Sequence, residues 1–215
     1  MIKSTILAFL LVLSFTLAAK DINFISAPKE IAKNIYLENK LNSSVLVNNK
    51  DVIKKNGAIE LNFKNRSSWI IADNIGIPNG DYKQTYDYAG SIPDLNVFVI
   101  KVNSYENTSY LLINKDTGAL NILEEAPILS EDKKIALSLF INIYDQHDIS
   151  PPTLDVKLFD VQDQNFELID SEVFPWKDNY EIIESYWKNG LIYLKTHNEH
   201  DDTTVYETIE ISKKY

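Results

Sequence analysis

Three apolar strands recur along the second half of the chain at nearly constant spacing, and that recurrence leaves few folds open to it. Tyr110-Leu111-Leu112-Ile113-Asn114, Val156-Lys157-Leu158-Phe159-Asp160 and Val205-Tyr206-Glu207-Thr208-Ile209-Glu210 align, with 46 positions from Ile113 to Phe159 and 50 from Phe159 to Ile209. The strands ahead of them align as well: Val97–Val102, Ile135–Ile143 and Leu191–Thr196. The first two are followed by a turn and a further apolar stretch, Leu120–Leu123 and Phe166–Ile169. A period of roughly 40 to 50 residues carrying about four strands is the spacing of a propeller blade. The expected fold is therefore all-β, built from antiparallel blade-like modules as a small or incomplete β-propeller. A β-sandwich is the alternative, because short strands separated by turns suit both.

Local signals fill in the rest. From about Ala58 onward, Val, Ile, Phe and Tyr alternate with polar residues and are broken by short Asn, Asp and Gly clusters. Glu60–Phe63 and Trp69–Ala72 flank Lys64-Asn65-Arg66 as a hairpin, and Tyr82–Ala89 reads as a strand. Lys188-Asn189-Gly190 is the sharpest turn signal, since Asn-Gly populates the positive φ angles of a type I′ turn. It joins Glu181–Trp187 to Leu191–Thr196. Pro28–Leu41 permits one short helix with Ile31, Ile35 and Leu37 apolar, and Lys20–Ser44 is available to cover an open sheet edge.

The residues Pro127-Ile128-Leu129-Ser130-Glu131-Asp132-Lys133-Lys134-Ile135-Ala136 resemble the Ser-Pro-Asp-Gly-Lys-x-Ile-Ala strand opening of WD40-like and TolB-like β-propeller repeats. Glu131 stands where that motif has proline, no glycine follows Asp132, and the motif is a residue short. The stretch from Tyr86-Asp87-Tyr88-Ala89-Gly90 through Ile113–Gly118 to Lys134 is similar to a group of exported bacterial proteins of undescribed function. The resemblance covers about residues 82–211. It implies a propeller-like scaffold and carries over no catalytic residue.

The first eighteen residues read as an export signal: Lys3, then the apolar run Ile6–Leu17, then Thr16-Leu17-Ala18 as a cleavage site. That run falls short of the roughly 20 residues a membrane span needs. The expected organisation is a signal peptide over 1–18 and a single β-rich domain over 19–215, periplasmic or extracellular, with no membrane insertion after cleavage. The chain has no cysteine, so its stability must come from buried apolar area, and thiol chemistry is excluded. A net charge of −10, or −11 without Lys3, argues against nucleic acid and anionic membranes and favours a basic protein partner.

No phosphate-binding glycine loop, Gly-x-Ser-x-Gly elbow or His-Glu-x-x-His motif occurs. The three histidines are the one grouping with chemical potential. His147 follows Ile135–Ile143, and His197 and His200 follow Leu191–Thr196, which the repeat makes the same loop of successive modules. His147, His197, His200 and Asp201 are accordingly the candidate ligands of a divalent metal. Asp145 and Glu199 stand beside them, in a metal-dependent hydrolase or lyase reading. The same composition also suits a solvated polar connection. Ser130 and Asp132 read as turn-formers, and Glu124-Glu125 and Asp201-Asp202 carry no acid–base implication without a pocket. The leading expectation is a non-enzymatic protein-binding module, an inhibitor or immunity-type protein being one version, with no cofactor required.

Overall fold

The computed structural model describes residues 23–40, 46–48, 52–76, 83–104, 107–143, 152–162 and 165–213. The segment expected to be a signal peptide lies outside them. β1 (Asn23–Ile25), β2 (Lys29–Glu30) and helix α1 (Lys33–Asn39) come first. β3 (Lys54–Lys55), β4 (Ala58–Leu61) and β5 (Trp69–Ala72) form a first antiparallel sheet. β6 (Thr85–Ile92), β7 (Val97–Asn103), β8 (Thr108–Asn114) and β9 (Leu120–Leu123) form a second, in chain order. β10 (Ile128–Leu129), β11 (Ile135–Asn142), β12 (Thr153–Gln162) and β13 (Asn165–Pro175) form a third. β14 (Tyr180–Lys188), β15 (Leu191–Asn198) and β16 (Thr203–Lys213) form the fourth. The N-terminal segment then covers the free edge of β16, as expected of Lys20–Ser44: β1 sets Ile25 opposite Ile211, and β2 sets Lys29 opposite Thr208.

The aligned strands occupy equivalent places. β7, β11 and β15 are second in their sheets, and β8, β12 and β16 are third. Ile113 packs with Ile59, Leu61 and Phe63 of the first sheet region. Phe159 packs with Val97, Val99 and Leu112 of the second sheet, and Ile209 with Leu137, Leu154 and Leu158 of the third. Each repeat position thus faces the preceding sheet. Because successive strand residues point to opposite faces, the run Val97-Phe98-Val99-Ile100 feeds two cores at once. Val97 and Val99 face the third sheet, and Phe98 and Ile100 face the first. Near-continuous apolar strands are what a sheet covered on both faces requires.

The turns explain several sequence signals. Asn189 and Gly190 take φ of +52° and +76° between the paired residues Lys188 and Leu191, the positive-φ pair expected of Asn-Gly. Ser130 Oγ donates to Asp132 Oδ1 at 2.7 Å, and the Ile135 N–H donates to Ser130 Oγ at 3.1 Å, so both side chains build the turn before β11. The residue after Asp132, where the resembled motif has glycine, is Lys133 at φ +59°. Glu131, in place of proline, accepts the Asn189 N–H at 3.0 Å and ties the third sheet to the fourth. The single arginine, Arg66, stacks on the rings of Phe63 and Trp69 and donates to the Thr117 carbonyl at 2.8 Å. It clamps the first sheet to the β8–β9 turn. Gly118 sits there at φ +72°, where a Cβ would come within 2.5 Å of the guanidinium.

The two ends of the series differ. On the fourth sheet, α1 covers the face turned away from the third. Tyr36 is 1% exposed against Tyr186, Tyr193 and Tyr206. On the first sheet, the face turned away from the second carries Glu60 and the 72%-exposed Ile70.

Candidate functional site

The apolar filling between the third and fourth sheets stops short of one end of the strands, where β11 finishes, β14 begins and β15 turns into β16. A cleft of about 630 Å³ opens there, lined by Ile141, Ile143, Pro152, Lys177, Asn179, Tyr180, Glu181, Glu199 and His200. It adjoins, through Ile141 and Glu181, a smaller pocket of about 330 Å³ that reaches Glu125, Ala126, Ile128, Leu139, Ile182 and Ser185.

The local chain geometry sets each charged group. Trp176, 5% exposed, donates its Nε1–H to the Tyr180 carbonyl at 3.0 Å and its backbone N–H to the Pro152 carbonyl at 2.7 Å. This pins the β13–β14 connection against the start of β12. Asn179, at φ +62°, then presents its carbonyl to the Glu199 N–H at 3.3 Å and holds the β15–β16 turn over the start of β14. In that turn the His200 N–H donates to Asn198 Oδ1 at 2.8 Å, and Asp202 takes φ +59°. The result is that Glu199 stands against Glu181, whose Cα partner across the ladder is His197.

Two carboxyls are raised here. Hydrogen bonding with Glu199 raises the Glu181 carboxyl above the ordinary range, burial and the like charge adding to it while His197 opposes it. The carboxyl of Glu125 is raised by burial, against a partial offset from Lys101 and a hydrogen bond with the backbone at Ala126. On the cleft wall, Lys177 Nζ lies 3.1 Å from both Glu207 Oε1 and Glu30 Oε1. Burial lowers the Lys177 ammonium, but its hydrogen bonds to the two carboxylates outweigh that and hold it above the usual range.

Of the histidine-bearing segments, the β15–β16 turn lines this cleft, through Glu199 and His200. Ile143 and Pro152, which bracket residues 144–151, line it together with His200 and Glu199. His147 and Asp145 lie outside the described residues. His197 directs Nε2 toward Asp202 Oδ1 at 3.7 Å. Asp201 Oδ1 accepts the Thr203 N–H at 3.1 Å, and hydrogen bonding with Thr203 lowers its carboxyl below the usual range. Asp201 therefore builds the turn, as its pair with Thr203 dictates. Among the described residues, no group of three or more His, Asp or Glu is arranged to hold a metal ion.

The sequence points to this loop, and to Tyr180 as an aromatic at a strand end, but not to Glu181 or Lys177. Glu181 and Glu199 are eighteen positions apart in the chain, and only the β14–β15 register joins them. Glu125 was visible as half of an acidic pair, and the pocket it lines is what the sequence could not display.

No family model, curated protein or solved structure matches this chain. Its class is the one its own fold defines: an all-β protein of four antiparallel sheets with an acidic cleft between the last two.

Proposed function

We propose that this is an exported, non-enzymatic binding module, an incomplete β-propeller whose acidic cleft captures a basic protein. The propeller reading rests on four sheets made in chain order and packed face to face in series. It also rests on an N-terminal strand added to the C-terminal sheet. The apolar run Ile6–Leu17 behind Lys3 supports export. The observation that carries the binding reading is the Glu181–Glu199 pair at the cleft mouth. Two carboxyls held together repel when both are ionised, and a cation between them relieves that repulsion. Ile143, 65% exposed, and Ile183, 48% exposed, lie along the same end of the two sheets. Ile183 is the extra residue of a bulge in β14, a device that re-aims side chains next to functional surfaces. An open, acidic cleft beside exposed aliphatics suits a protein surface better than an enclosed small molecule.

The test is capture of an oligolysine of about 20 residues, chosen as a probe of charge-steered association. Glu181→Gln with Glu199→Gln should weaken capture at least about fivefold, and the control pair Glu38→Gln with Glu60→Gln less than about twofold. Capture should also fall steeply toward roughly 0.5 M salt. Glu181→Gln removes a repulsion, so thermal stability at neutral pH should hold or rise, and lost capture will not reflect unfolding. Equal losses from the two pairs would reduce the effect to net charge and refute the cleft.

A further inference from the structure

The smaller pocket deepens this reading and rests on it. Its floor is aliphatic, made by Ile128, Leu139, Ile141 and Ile182, and its polar lining is Glu125, Glu181 and Ser185. The Glu125 N–H donates to Ser138 Oγ at 3.3 Å, which fixes the backbone that carries this carboxylate between β9 and β10. The charge of Lys101 acts on Glu125 without an ion pair between them being formed, and the Lys157 ammonium is already held by both oxygens of Glu124 at 2.6 and 2.7 Å. Lys177, at the adjoining cleft, is likewise engaged by Glu30 and Glu207. The pocket therefore combines methylene-sized apolar surface with two carboxylates that the neighbouring lysines leave incompletely balanced.

From this geometry we infer that the pocket receives one lysine or arginine side chain of the basic partner, its aliphatic stem on the isoleucine and leucine floor and its cationic head between Glu125 and Glu181. Long cationic side chains bury their stems along apolar surface and keep the charge at a polar rim. A volume of about 330 Å³ is at the low end of the roughly 300–1,000 Å³ typical of ligand pockets. That is room for one side chain rather than a whole folded segment. A side chain anchored in a pocket in this way is the kind of contact that dominates many protein interfaces.

The experiment uses Nα-acetyl-lysine methylamide as the probe, with the norleucine methylamide as its uncharged counterpart, titrated into the full chain by calorimetry or NMR. The lysine compound should bind with millimolar affinity, the ordinary range for a ligand of this size. The norleucine compound should bind at least about tenfold more weakly, and Glu125→Gln should weaken the lysine compound by a similar factor. Glu125→Gln keeps the shape of the side chain and removes a half-buried charge, so it should fold as the parent does. Equal binding of the two compounds, or unchanged binding of the lysine compound in Glu125→Gln, overturns the pocket. If oligolysine capture survives Glu125→Gln but falls in the Glu181→Gln and Glu199→Gln pair, the anchor is refuted and the cleft stands.

Discussion

Replacing Lys177 by methionine should cost the fold about 3 kcal/mol, a fall in Tm of roughly 6–12 °C for a chain of this size. The reason lies in Glu207, only 2% exposed in the middle of β16. Strand alternation puts it on the same face as Ile209, which packs into the core shared with the third sheet. Its oxygens meet Lys177 Nζ at 3.1 Å and Thr196 Oγ1 at 3.4 Å. Methionine keeps an apolar stem but removes the ammonium that sits 5.3 Å from the Tyr180 ring centre and leaves a buried carboxylate with a hydroxyl as its remaining partner. The cost belongs at the low end of the range for broken buried pairs because the Lys177 side chain is 35% exposed. Adding Glu207→Gln should restore most of the loss, since removing both charges leaves nothing uncompensated. Denaturant unfolding of the two single variants and the double variant measures this directly. A loss below about 0.5 kcal/mol in Lys177→Met would show that the pair is not needed.

The second large effect concerns α1. Seven residues are too few for a helix to stand alone in water. This one has no side-chain N-cap, no acidic first turn and no basic last turn. Its existence depends on docking. The Tyr36 ring centre lies 5.3 Å from that of Tyr186 and 4.8 Å from that of Tyr206, and Tyr186 donates its hydroxyl to the Tyr36 carbonyl at 2.8 Å. Burial, with Glu184 beside it, pushes the Tyr36 phenol well above its ordinary range, so it stays neutral at any physiological pH. Tyr36→Ala should cost about 3–5 kcal/mol if the helix stays docked around the cavity, and less if it detaches. Because docking holds this helix together, it should detach, and the residue-36 and Lys40 amides, which donate to the Ala32 and Leu37 carbonyls, should lose hydrogen-exchange protection. The amides of β11 and β15 should keep theirs. Tyr36→Phe, which keeps the ring, should retain the helix. Unchanged protection in Tyr36→Ala would mean that other contacts hold α1.

Much of this architecture is legible in the chain because its signals are local. Asn189-Gly190 specifies its turn by itself, and Ser130 and Asp132 build theirs from hydrogen bonds within five residues. The recurrence is legible because strands covered on both faces are written as apolar stretches, Val97–Ile100 unbroken and Ile135–Leu139 broken only by the buried Ser138. The helix showed only weakly, as its tyrosine contacts come from strands about 150 positions away. The site was least legible. Glu181, Glu199 and Lys177 acquire their roles from strand register and from two connections crossing at Trp176 and Asn179. Arg66 shows the same limit: nothing near it in sequence announces the Thr117 carbonyl 51 positions on.

The most direct test of the central claim is an amide chemical-shift map of the isotope-labelled protein titrated with oligolysine. The cleft account predicts that the largest shifts fall on Glu125–Ile128, Leu139–Ile143, Tyr180–Ser185 and His197–His200, from segments that meet only at the junction of the third and fourth sheets. Shifts spread evenly over the acidic surface, or centred on the first and second sheets, would contradict it.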